Sequence, residues 1–201
     1  MKKNEFPSTA KQKLEVGFSL IEVMIAIVVM SVGILAVIAS FATAVAATQS
    51  AEEDLIARQK ALEAMESIYT ARNSQQIPFA SVANVADGGI FLSGAQTLRC
   101  AGPDGLVNTQ DDVNCTTQFG VVCANGAECM MLPGNDGILG TADDKPLSLA
   151  NFRRTITVTP VKLANGTTNQ DMKAISITVW YTKDGMPARS FTANGLISRY
   201  H

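Results

Sequence analysis

Two abrupt changes of polarity mark the start of the chain. Residues 1–17 (MKKNEFPSTAKQKLEVG) are polar, with Lys2, Lys3, Lys11 and Lys13 against Glu5 and Glu15, a net charge of +2. From Phe18 to Ala47 every position is apolar or small except Glu22, and no charged residue lies between Glu22 and Glu52. As a helix, residues 18–47 would rise about 45 Å, more than the roughly 30 Å hydrocarbon core of a bilayer requires. The pattern predicts a spanning helix with its lysines on the cytoplasmic side. No proline interrupts residues 8–77. Ala44-Val45-Ala46 offers a secretory cleavage site as an alternative, but the apolar run is about twice as long as the 7–15 residues of a signal peptide.

After Ala47 the pattern turns amphipathic. Leu55, Leu62 and Tyr69 fall seven apart, with Met65 and Ile68 filling the same stripe, which predicts the face that packs on the rest of the protein. Glu52, Glu53, Lys60, Glu63 and Glu66 lie on other faces, and Asp54 with Arg58 is spaced as an i,i+4 ion pair. Asn73-Ser74, followed by Pro78, predicts the end of the helix. Residues 78–150 read as loops. Segments 155–163, 174–182 and 189–197 alternate as antiparallel strands, with Ile175, Ile177, Val179 and Tyr181 on one face. Residues 183–187 (KDGMP) predict a hairpin, and Pro160 predicts an edge position for the first strand. The expected architecture is α+β: a long N-terminal transmembrane helix packed on a small C-terminal antiparallel sheet. Its expected parts are a leader (1–17), the helix (18–73, divided into 18–47 and 48–73) and a β-rich head (74–201).

Glu22 is the residue this layout leaves unexplained. A carboxylate inside a spanning segment costs about 2.5–3.5 kcal/mol when charged at mid-helix, and no Lys or Arg shares the apolar run. A cut after Gly17 would supply a partner, because the new α-amino group of Phe18 is a cation at the head of the helix. Phe18 and Glu22 of one chain are one turn apart, and in a packed array Glu22 could meet the amine of a neighbour.

The heptapeptide Gly17-Phe18-Ser19-Leu20-Ile21-Glu22-Val23 resembles the class III signal of type IV pilins and pseudopilins, matching at Gly17, Phe18 and Glu22. The resemblance implies a pilin-like fold, cleavage after Gly17 and methylation of Phe18 by prepilin peptidase, and a role for Glu22 in subunit docking. It further implies residence in the bacterial inner membrane with the head in the periplasm. The chain would then transfer into a pilus or pseudopilus beside other pilin subunits and an inner-membrane assembly platform. Residues 57–73 and 31–35 are similar to PilV-like minor pilins and to minor pseudopilins of type II secretion. The helix lacks the proline that kinks many major pilins, which fits a minor subunit. The expected function is therefore a minor type IV pilin with a role in pilus biogenesis or adhesion. The alternatives are a type II secretion pseudopilin and a singly anchored periplasmic calcium-binding domain.

Composition narrows the remaining chemistry. A head beyond the inner membrane meets an oxidising compartment, so Cys100, Cys115, Cys123 and Cys129 predict two disulfides. Three connectivities are possible. Cys100–Cys115 with Cys123–Cys129 is favoured, since the second closes CANGAEC around an Asn125-Gly126 turn. Zinc is not expected without a C-x-x-C or a nearby His. Residues 102–112 (GPDGLVNTQDD) and 134–144 (GNDGILGTADD) agree at six of eleven positions. Each offers carboxylate oxygens that calcium could use: Asp136, Asp143 and Asp144 in the second copy, Asp104, Asp111 and Asp112 in the first. The second copy is similar to the calcium loop of major pseudopilins. Asn108 stands where that loop has glycine (Gly140), and asparagine tolerates a left-handed turn. No nucleophile elbow, Walker loop or zinc-protease motif is present, and the only histidine is His201, so an enzyme is not expected. The net charge is −2, and −4 without the +2 leader, which gives no basic footprint for nucleic acid.

Overall fold

The computed structural model describes residues 17–117, 120, 122–182 and 187–200. Residues 1–16 of the leader, the predicted turn at 183–186 and His201 lie outside the described residues. The chain divides after Thr48 into two compact units. One helix, α1 (Leu20–Asn73), supplies the regular structure of the first unit and the N-terminal element of the second. With neither proline nor adjacent glycines inside it, nothing in its sequence breaks the hydrogen-bond ladder.

In the second unit, 49–201, α1 lies on a four-stranded antiparallel sheet ordered β1-β4-β5-β6. Its strands are β1 (Gln96–Thr97), β4 (Phe152–Lys162), β5 (Thr168–Tyr181) and β6 (Arg189–Ser198). A separate hairpin pairs β2 (Cys129–Leu132) with β3 (Lys145–Ser148). The pleat places Ile156, Ile177 and Ala193 in one cross-strand row, and Val158 with Ile175 in the next; all five are buried. Phe152 and Tyr181 pair across the sheet with ring centroids 5.4 Å apart.

The helix face that meets this sheet keeps Met65, Ile68 and Tyr69 of the predicted stripe but not its two leucines. Ala57, Ala61, Ala64, Ile68 and Ala71, at alternating spacings of four and three, are buried, whereas Leu55 and Leu62 are 65% and 47% exposed. Side-chain size explains the correction. Alanines let the helix axis approach the sheet closely, and the approach is tight enough that a Cβ on Gly195 would lie 2.4 Å from Tyr69 Oη. Leucines at those positions would hold the layers apart. The proposed Asp54–Arg58 pair is also replaced: Asp54 accepts from Tyr181 Oη at 2.6 Å and pairs with Arg189 at 3.0 Å. Arg58 instead stands over the Phe191 ring at 5.8 Å. Tyr69 donates to the Leu196 carbonyl, Trp180 is half-buried, and Tyr200 is exposed.

Pro160 required a similar adjustment. Strand β4 is not the outermost strand, since β1 pairs with it, but only at Arg153 and Arg154. Beyond that pairing, the Asn84 side chain acts as a stand-in strand: its amide donates to the Ile156 carbonyl at 2.8 Å and accepts from the Val158 N–H at 2.9 Å. The Val158 N–H therefore points outward, and by the period of two the N–H that Pro160 lacks would do so too. The proline sits on a free edge, and the β4–β5 register shifts between Pro160 and Val161.

Candidate functional site

The N-terminal site is built by the start of α1. Gly17 to Ser19 precede the helix, and the Ser19 carbonyl accepts from the N–H groups of Glu22 (3.0 Å) and Val23 (3.2 Å). Glu22 therefore lies in the first turn, where the positive end of the helix dipole favours a carboxylate. It makes no hydrogen bond or ion pair among the described residues. Phe18 is 82% exposed, and its position beside the helix start leaves the Gly17–Phe18 peptide bond outside any regular element. Downstream, the apolar window of α1 has none of its surface buried and is long and apolar enough to cross a membrane. Its hydroxyls are satisfied internally: Ser31, Ser40, Thr43 and Thr48 each donate to a carbonyl of the preceding turn at 2.7–3.0 Å. With those donors satisfied, the carboxylate of Glu22 is the one group in the segment for which an apolar surrounding demands an outside partner.

The head contains two bridges, Cys100–Cys115 and Cys123–Cys129, and no free cysteine among its described residues. Near them α1 is fixed to the head by a chain of charges that the sequence reading did not identify. Lys60 contacts Glu128 at 2.5 Å and Glu63 at 3.0 Å, and Glu128 faces Arg154 at 3.8 Å. Burial opposes the charge on Lys60, but Glu128 and Glu63 together outweigh it and raise the pKa above its ordinary value. Burial dominates at Arg154 and lowers its pKa, with Glu128 and Asp112 acting against it. Lys60 and Glu63 are one helical turn apart, but the links to Glu128 and Arg154 join residues distant in sequence, so no local pattern signals them.

The two acidic loops share one hydrogen-bond scheme. The first aspartate accepts from the N–H two residues on: Leu106 to Asp104 and Ile138 to Asp136, both 2.8 Å. The threonine hydroxyl donates to the next acid at 2.7 Å, Thr109 to Asp111 and Thr141 to Asp143. The last acid receives the N–H of Asn108 (2.9 Å) or Gly140 (2.7 Å), both in the left-handed region at φ +62° and +94°. A Cβ on Gly102 or Gly134 would strike the returning Asp111 or Asp143 at 2.3 and 2.2 Å. The Thr109 hydroxyl holds Asp111 below the ordinary carboxylate range, and the Thr141 hydroxyl does the same for Asp143. Burial, then the charges of Asp111 and Asp112, push Asp104 up. The predicted calcium ligands are thus committed to the donors of their own loops. Among the described residues, no three acidic, His or Cys side chains are grouped to hold a metal.

Residues 17–38 match the family model described as the prokaryotic N-terminal methylation motif. Comparison with curated proteins and with solved structures returns no match. The fold is α+β and pilin-like, one long N-terminal apolar helix whose second part packs on a small antiparallel sheet, and the motif at its head supports a type IV pilin-like family. The motif supports a pilin- or pseudopilin-like role, that of a structural subunit.

Proposed function

We propose that the chain is a minor pilin of a type IV pilus. Prepilin peptidase cuts it between Gly17 and Phe18 and methylates the new terminal amine. The processed chain waits in the bacterial inner membrane as a single span with its head in the periplasm. An assembly platform then draws it into the filament among other pilin subunits, where it serves pilus biogenesis or adhesion. Glu22 meets the Phe18 amine of a neighbour, and burial of the apolar half of α1 against other helices drives assembly. The observation that carries this reading is the methylation motif at the head of a helix whose apolar window is wholly exposed. The disulfides suit an oxidising periplasm.

The test is Glu22→Ala, read as the ratio of chain in sheared filaments to chain in membranes. The proposal predicts a fall of at least tenfold with normal membrane levels. An unchanged ratio, with the chain still in filaments, would contradict it. A minor pseudopilin of type II secretion shares the whole mechanism; it differs in which secretion or piliation phenotype a deletion removes. Calcium binding at Asp136, Asp143 and Asp144 stands as a separate, second proposal, because those carboxylates would have to exchange donors they already hold. It predicts that calcium raises the melting temperature of chelator-treated protein and that Asp143→Asn removes the rise.

A further inference from the structure

The tripeptide Ala-Asn-Gly occurs three times in the head, at 124–126, 164–166 and 193–195. In each, the glycine nitrogen, unshielded by any Cβ, stands next to the asparagine side-chain carbonyl it can attack. With the local sequence the same, only the fold distinguishes the three. Asn194 and Gly195 lie inside β6, in register with Ser176 and Ile175 of β5, and a Cβ on Gly195 would lie 2.4 Å from Tyr69 Oη. The backbone rotation that brings the Asn194 amide onto the next nitrogen would break that ladder. Asn125 is exposed, but Gly126 is buried against the Asn114 side chain, inside the loop that the Cys123–Cys129 bridge closes. Among the described residues no donor meets the Asn125 amide oxygen. Asn165 differs from both. With Gly166 it forms the exposed tip of the β4–β5 hairpin, where Gly166 is at φ +82° and nothing crowds it. Asn165 Oδ1 accepts two hydrogen bonds from one residue, the Thr167 N–H at 3.0 Å and the Thr167 hydroxyl at 2.7 Å. They close an Asx turn around the Gly166 nitrogen.

We propose that Asn165 is a site of self-catalysed deamidation, with Thr167 supplying the donors that hold the oxyanion. The Gly166 nitrogen, having lost its proton to solvent base, bonds to Asn165 Cγ. Negative charge collects on Oδ1, where two donors already stand, and preorganised donors stabilise such charge as it develops. The bond from Cγ to the side-chain nitrogen then breaks, ammonia leaves with a proton from water, and a succinimide remains. Water opens that ring at either carbonyl, giving aspartate or isoaspartate. Nothing is oxidised or reduced, and water is the one co-reactant. A single bond opposes the attack: the Gly166 N–H donates to the Leu163 carbonyl at 2.9 Å. It lies at the hairpin tip, where local opening is least costly. The product carries a new negative charge, and isoaspartate also a longer backbone, in the turn joining the two longest strands. The reaction requires no other subunit, so it stands apart from the assembly reading.

The test follows all three asparagines in one sample. The full chain is incubated in detergent micelles in mildly alkaline buffer, and peptides covering each site are quantified by mass spectrometry, with aspartate and isoaspartate separated by chromatography. Asn165 should convert at least tenfold faster than Asn125 or Asn194, and faster still as pH rises. In the same chain unfolded in guanidinium, the three sites should convert at similar rates. Thr167→Ala should slow Asn165 at least threefold in the folded chain and leave its unfolded rate unchanged, and Thr167→Ser, which keeps the hydroxyl, should restore the folded rate. Conversion of Asn165 in step with the other two sites in the folded chain would overturn the proposal, as would a preference for Asn165 that survives unfolding. A Thr167→Ala chain as fast as the parent, or a Thr167→Ser chain as slow as Thr167→Ala, would overturn the part assigned to the hydroxyl.

Discussion

The loops at 102–112 and 134–144 have the same scaffold in opposite surroundings. In the first, Leu106 is 1% exposed in the core, and Asn108 is fully buried. Asn108 accepts from Arg154 Nε at 2.8 Å and donates to the Arg154 carbonyl at 3.0 Å, so the loop anchors the buried cation of β4. In the second, Ile138 and Leu139 are 60% and 62% exposed, and Gly140 has no side chain to send anywhere. The comparison separates two things that a repeat in sequence tends to merge. The Asp, Gly and Thr positions encode the backbone, through bonds made within eleven residues; what the loop does depends on whether its apolar pair and the residue after it meet the rest of the head.

Substitutions at equivalent positions sharpen that distinction. Asn108→Ala should have the largest effect, because it strips Arg154 of its Nε acceptor, leaves the Arg154 carbonyl without its donor and puts alanine at φ +62°, losses that together come to about 4 kcal/mol. In a domain of this size it lowers the melting temperature by roughly 12 °C. Leu106→Ala should cost about 3 kcal/mol through the cavity it leaves, whereas Ile138→Ala should change stability by less than about 0.5 kcal/mol. Thermal melts followed by circular dichroism compare all three, and equal losses at Leu106 and Ile138 would erase the contrast between the loops.

The smallest effect expected is a pH response. Asp143 has a folded pKa below its unfolded value, so its contribution is present above the ordinary carboxylate pKa and is lost as pH falls through the lowered one. Asp111 behaves likewise, but in its loop Asp104 has a raised pKa and contributes the opposite way, stabilising at acid pH and losing that contribution as pH rises. Acidification from about pH 5 to about pH 2 should therefore weaken hydrogen-exchange protection at Asn135 and Asp136 before it does so at Asp104. Simultaneous loss would mean that Asp104 provides no compensation.

Much of this was legible in the sequence where the cause is local. The apolar run with one acid, the strand alternation around Ile175 to Tyr181, the Asp-Gly turns and the helix end near Asn73 all arise from neighbours in the chain. The misreadings concern partners distant in sequence. Met65, Ile68 and Tyr69 of the predicted stripe do face the core, but Leu55 and Leu62 stay exposed while alanines meet the sheet, where Gly195 leaves room for Tyr69 and Met65. Asp54 has a correctly spaced partner in Arg58 but finds Tyr181 and Arg189 instead. Nor could spacing have shown that Asn84 would complete the β4 edge or that Glu128 would lie between Lys60 and Arg154.

The central claim is that the chain enters a pilin pathway at its N-terminus, and intact mass with N-terminal sequence tests it most directly. The protein should be taken from the native cell envelope and from the sheared surface fraction. The account predicts a chain starting at Phe18 and heavier than the calculated mass by about one methyl group. A chain starting at Ala47, or retaining Met1 in both fractions, would contradict it.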